Sequence, residues 1–159
     1  MEVWFGKSVL ATFCVVPAFI AIPFFKGRYG VDPMVFLIWY FLGTSLSIST
    51  YFIVVGKAAV LVPSLGLVAT FIAIGVVFGS VANGSLFQAV GLAPNPGIPP
   101  VIYATSSIVV FFLSLFLASR FPAAFTQVTA DASRLIGIFL VLLGLYLLSG
   151  GRLLDRLWA

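Results

Sequence analysis

The sequence holds no histidine, a single cysteine and only four acidic residues. Each shortage excludes some chemistry. Without histidine, and with Cys14 alone inside an apolar run, the usual ligand sets for a metal are missing, so no metal site and no cofactor is expected. Glu2, Asp32, Asp131 and Asp155 all fall at the ends of apolar segments. No acid pair or general base stands where it would activate one of the many serines, so an enzyme is not expected. Charged residues make up 8% of the chain, against about 25% in an ordinary soluble domain. The eight Lys and Arg are scattered singly at segment ends, where their stems snorkel to lipid headgroups. The net charge of +4 therefore does not point to nucleic acid.

Apolar length is what the chain has instead. It is 62% hydrophobic over 159 residues, with a mean hydropathy of +1.25. No soluble fold of this size hides that much apolar surface, so the expected solvent is the lipid bilayer. The apolar runs are unbroken and far longer than the alternating segments of about ten residues that build a β-barrel. A spanning helix takes about 20 residues, so five helices with short links nearly exhaust the chain. The expected fold is an all-α integral membrane protein, a five-transmembrane-helix bundle formed as one domain over residues 1–159, with helices near 8–25, 33–55, 64–90, 99–119 and 131–149. A cleaved signal peptide is not expected, because the first apolar run ends at Phe24, Phe25 and Lys26 without a small-residue cleavage site.

Local signals place the ends. Asp32-Pro33 offers an N-cap followed by the residue favoured at the first helical position, and Gly56-Lys57 should close that helix. Pro17 and Pro23 inside the first helix predict a kink or a broken last turn. The corner at residues 91–100, GLAPNPGIPP, holds four prolines and no charge. It joins the two apolar segments, within residues 65–120, that form the centre of the chain.

Three helices carry polar stripes. Tyr40, Thr44, Ser47 and Tyr51 recur at helical spacing on the second. Ser80 and Asn83 share a face of the third with Gly84 and Phe87, and Gln88 lies on its flank. Tyr103, Ser106, Ser107 and Ser114 share a face of the fourth. Such side chains are costly in hydrocarbon unless they meet a partner, a ligand or water. Two readings stand side by side: hydrogen bonds between helices, each worth about 0.6–2 kcal/mol, or the lining of a shared polar cavity. The candidate substrate-binding residues are Tyr40, Thr44, Ser47, Tyr51, Ser80, Asn83, Gln88, Tyr103, Ser106 and Ser107. The fifth helix has an almost wholly apolar interior with Gly137 and Gly144 on one side, which suits packing or dimer contact. Gly75, Gly79 and Asn83, like Ser80 and Gly84, follow small-xxx-small spacing.

Five helices put the two ends of the bundle on opposite sides of the membrane. Lys7, Lys57, Arg120 and Arg134 fall on the side of the first residue, and Lys26, Arg28, Arg152 and Arg156 on the other. The positive-inside rule thus gives no preference. A chain that inserts both ways and pairs head-to-tail makes ten helices, the inverted-repeat plan of many transporters built from two chains.

The helix order and several local signatures resemble the drug/metabolite transporter superfamily, specifically one five-helix EamA-like half. Ala89-Val90-Gly91-Leu92-Ala93-Pro94 resembles that family's "AL…AP" turn. The segment from Ile108 to Arg120 resembles its fourth helix, and Gly137-Ile138-Phe139-Leu140-Val141-Leu142-Leu143-Gly144 its fifth. Three departures stand out. Ser119 replaces the usual Glu before Arg120, the link after Arg120 is long, and the first helix lacks the embedded glutamate by which the related small multidrug resistance proteins couple export to protons. The resemblance implies a transporter of small organic solutes (metabolites, amino acids or drugs) working by alternating access. Its expected setting is a prokaryotic plasma (inner) membrane, and its partners are a small-molecule substrate and a second copy or paired paralogue. With no acid at the expected midplane, facilitated transport is favoured over ion coupling. The rival expectation is a non-transporting subunit or scaffold of a larger complex.

Overall fold

The computed structural model describes residues 3–123, 125 and 131–148, and these are helical almost throughout. Among the described residues, four helices are long and apolar enough to cross a bilayer: α1 (Val3–Tyr29), α2 (Pro33–Val54), α3 (Leu65–Leu92) and α4 (Ile98–Arg120). A fifth apolar helix, α5 (Ala132–Leu148), has 17 residues. The chain divides into two compact units, Met1–Gly97 and Ile98–Ala159.

The helix boundaries follow from local chemistry. Asp32 Oδ1 accepts from the Met34 N–H at 2.7 Å, with Pro33 in the first turn, as the Asp-Pro pair predicts. α2 closes on Gly56, whose φ of 72° suits a residue without Cβ. There the Lys57 N–H reaches Phe52 O at 2.8 Å and the Gly56 N–H reaches Ile53 O at 3.0 Å, the paired closure of a Schellman end. Ser64 caps α3 by accepting from the Leu67 N–H at 3.2 Å.

Three boundaries differ from the sequence expectation. α1 covers Val3–Tyr29, so it is already helical before Ser8 and continues past Phe25, with Pro17 and Pro23 inside it. Each proline removes one hydrogen bond, but the surrounding ladder carries the helix past both. α3 extends to Leu92, because the Ala93 N–H still bonds to Ala89 O at 2.8 Å. α4 is interrupted at Thr105, whose N–H and hydroxyl both donate to Ile102 O, at 3.1 and 2.6 Å.

In the first unit the core lies where α1, α2 and α3 meet. Ile22, Leu37, Leu86, Phe87 and Val90 are buried, with Phe19, Met34, Phe36 and Tyr40 packed against them. Phe87 is the hub: its ring centroid lies 6.0–6.4 Å from those of Phe19, Phe36, Tyr40 and Phe41. The carboxyl end of α3 approaches its neighbours so closely that a methyl group on Gly91 would lie 2.6 Å from Pro33 Cγ. The same end is fastened by Lys26, whose Nζ donates to Gly91 O at 2.7 Å. That ammonium satisfies a carbonyl the helix itself leaves open. By contrast, no residue of Leu65–Ile74 is buried.

In the second unit α5 packs against the Ile98–Ala104 segment of α4. Asp131 precedes α5 as its cap. The Arg134 N–H, at 2.8 Å, and the Ser133 hydroxyl, at 2.7 Å, both donate to Asp131 Oδ1. These bonds, with a smaller contribution from the Arg134 charge, hold the carboxyl below the usual carboxylate range. A depressed native pKa means the cap contributes in full above the ordinary aspartate value of about 3.9 and is lost as pH falls through the native one. Hydrogen-exchange protection in the first turn of α5 should therefore hold from pH 7 to pH 5 and fall in stronger acid. Asp131→Asn, which keeps a capping oxygen but does not titrate, should abolish that step.

Candidate functional site

Midway along α3 the backbone widens. Gly75–Gly79 forms a π-helical turn, and the Ser80 N–H donates to Gly75 O, one residue farther than the α ladder reaches. Two side chains stitch the wide turn. The Ser80 hydroxyl donates to Val76 O, and Asn83 Nδ2 donates to Gly79 O at 2.8 Å. Single π turns inside α-helices recur at functional sites.

Directly on the carboxyl side of this turn lies a groove of about 300 Å³, lined by Met34 from α2 and by Ser80, Val81, Gly84, Ser85 and Gln88 from α3. Its floor exists because residue 84 is glycine: the Met34 thioether rests over it, with Sδ 3.2 Å and Cε 3.0 Å from where a Cβ would stand. The side chains of Gln88 and Ser85 are exposed and bond to no other described residue. Gln88 lies four residues, about 6 Å, from the end of α3, so the groove runs inward from near the membrane surface.

Of the ten candidate residues read from sequence, Ser80 and Gln88 line this groove. Asn83 is half-buried and is held by its own helix. Tyr40 belongs to the aromatic cluster, stacked 6.1 Å from Phe36. Thr44 donates to Tyr40 O at 2.9 Å, while Ser47 and Tyr51 are exposed on α2. Tyr103, Ser106 and Ser107 are exposed in the second unit, with the Ser107 hydroxyl on Ala104 O at 2.7 Å. Where these hydroxyl and amide groups are satisfied, the partner is most often a carbonyl three or four residues back in the same helix. No polar side-chain atom among the described residues is both buried and unpaired. Ser85 and Met34 were missing from the sequence-derived set. Counting back three from Gln88 finds Ser85 on the same face, whereas a count begun at Ser80 passes it by.

Fold and groove together define a class. Among the described residues it is an all-helical protein with four apolar helices of membrane-crossing length and a further apolar helix, carrying a small, mainly apolar groove between the second and third. Comparison with protein-family models, curated proteins and solved structures found no match to this chain.

Proposed function

We propose that the protein is a membrane transporter of small organic solutes working by alternating access, with the α2–α3 groove as part of its substrate path. The observation that carries this reading is the pairing of that groove with the wide turn beside it. Exposed amide and hydroxyl groups on a helix of membrane-crossing length are costly wherever lipid covers them, and a solute passing along the groove supplies the missing bonds. The π turn supplies a place where α3 can change its helical register, one way in which an element of a carrier can shift between two states. Two inverted copies, or a copy and a paralogue, complete a ten-helix carrier of the drug/metabolite transporter plan in a prokaryotic plasma membrane.

The test is uptake into proteoliposomes from a mixed metabolite extract, read by mass spectrometry. Gln88→Leu removes hydrogen bonds worth about 0.5–1.5 kcal/mol, so uptake of the transported species should fall up to about tenfold. Ser85→Ala should lower it less. Unchanged uptake in both variants would remove the groove from the path. The second reading, a non-transporting subunit, draws support from the many polar side chains already satisfied by their own helices. It predicts a stable cross-linked complex with another membrane protein and no uptake at all. Reporter fusions at both ends test the antiparallel pairing, since a single uniform orientation would leave only a separate inverted partner.

A further inference from the structure

We infer that the α2–α3 groove selects uncharged, half-apolar solutes bearing a carboxamide-like head, and rejects ions and zwitterions. This rests on the reading of the groove as a solute site and names the class of its occupant.

The six lining residues are Met34, Ser80, Val81, Gly84, Ser85 and Gln88, and none of them ionises. Lys26 stands about one turn farther toward the end of α3, does not line the groove, and is engaged with Gly91 O. An ionic group brought into this setting gives up water and meets no opposite charge on the groove wall. An amino acid, with both its charges, is disfavoured for the same reason. The solutes named by the family resemblance are thereby narrowed to neutral ones.

The polar groups present match an amide. Gln88 offers two N–H donors and one carbonyl acceptor, and the Ser85 hydroxyl offers a further donor. The Ser80 proton is committed to Val76 O, which leaves that oxygen as an acceptor. A carboxamide carries one carbonyl and one NH₂, so both its halves find complements. The remaining wall is apolar: the Val81 side chain, and the Met34 thioether lying over Gly84. A polarisable sulfur accommodates aromatic or aliphatic bodies. At about 300 Å³ the groove stands at the small end of ligand sites, which suits a small solute such as a single-ring amide.

Benzamide and benzoate form a probe pair that is nearly identical in shape and differs in charge. The full-length chain in lipid nanodiscs should give a saturation-transfer NMR signal with benzamide at pH 7, above that of empty nanodiscs, and none above empty nanodiscs with benzoate. Gln88→Leu should weaken benzamide binding about tenfold, while Val109→Ala, in the second unit, should leave it unchanged. Equal signals from benzamide and benzoate would overturn the selection rule. So would no signal from either, or a benzamide signal indifferent to Gln88→Leu. Benzamide binding without uptake of any solute would retire the transporter reading while leaving the groove chemistry in place. Uptake that survives without such binding would retire the groove.

Discussion

Phe87→Ala is expected to destabilise the first unit by about 2–4 kcal/mol, more than any other single truncation along α3. The ring is 4% exposed and sits among four other aromatic rings drawn from α1 and α2. In a water-soluble core, removing such a ring costs about 3–5 kcal/mol. Inside a bilayer the alternative environment is hydrocarbon, so part of the transfer term vanishes and what remains is lost packing and ring–ring contact. The figure is therefore set toward the lower end. Denaturation with SDS in mixed micelles reads it directly. Val81→Ala, at a position 66% exposed, should change stability by less than about 0.5 kcal/mol. A Phe87→Ala variant as stable as the parent would mean that the ring cluster does not hold the three helices together.

Deleting Val77 is expected to have the largest effect on function with little harm to folding. The π turn holds one residue more than an α-helix needs. Removing a residue from within it restores a continuous ladder and leaves the faces on either side where they are. Exchange of the amides from Gly75 to Ser80 should slow about tenfold or more, and stability should hold or rise. If the wide turn serves as a hinge, proteoliposome uptake should fall by at least tenfold. Deleting Val68 instead, within the α-helical part of α3, shifts the register of the residues before it and should leave exchange in the π turn fast. Uptake that survives the Val77 deletion, with exchange slowed as expected, would show that carriage does not need the turn.

The two ends of α3 differ in how firmly they are held, which sets what a register change would move. Leu86, Phe87 and Val90 are buried and Gly91 is fastened by Lys26, while nothing in Leu65–Ile74 is buried. A wide turn that migrates along the helix exchanges one i+5 bond for one i+4 bond at each step. Its cost is therefore low on the unanchored side. Rotation of Leu65–Ile74 by one residue, about 100°, would leave the groove floor at Gly84 and Met34 undisturbed.

Much of the architecture is legible in the sequence, for identifiable reasons. Asp32-Pro33 and Gly56 act through the backbone within a few residues, so their effect is local. Apolar length likewise declares the membrane without reference to any neighbour. The π turn was not legible. Gly75-Val76-Val77-Phe78-Gly79 reads as small-xxx-small packing in a straight helix, since nothing in those residue types distinguishes a wide turn from a regular one. Pro17 and Pro23 suggested a kink or a broken last turn because proline weakens a helix locally; the last turn is intact, since a 27-residue helix absorbs two missing bonds. The polar stripe of α2 lies on one uninterrupted helix, whereas the break at Thr105 parts Tyr103 from Ser106 and Ser107. The partners of the stripe residues were not legible, because Thr44, Asn83 and Ser107 reach a carbonyl of their own helix as readily as a neighbour. The groove needed Met34, a residue whose place over Gly84 depends on how α2 meets α3.

The Lys26–Gly91 bond joins residues 65 positions apart, and with the rings around Phe87 it completes a knot whose members all lie between Phe19 and Gly91. The ribosome has therefore delivered every member of that knot before it reaches Pro94, the first proline of the corner. Assembly of the first three helices can begin while the remainder of the polypeptide is still being made, so the order of synthesis matches the order in which the contacts become available.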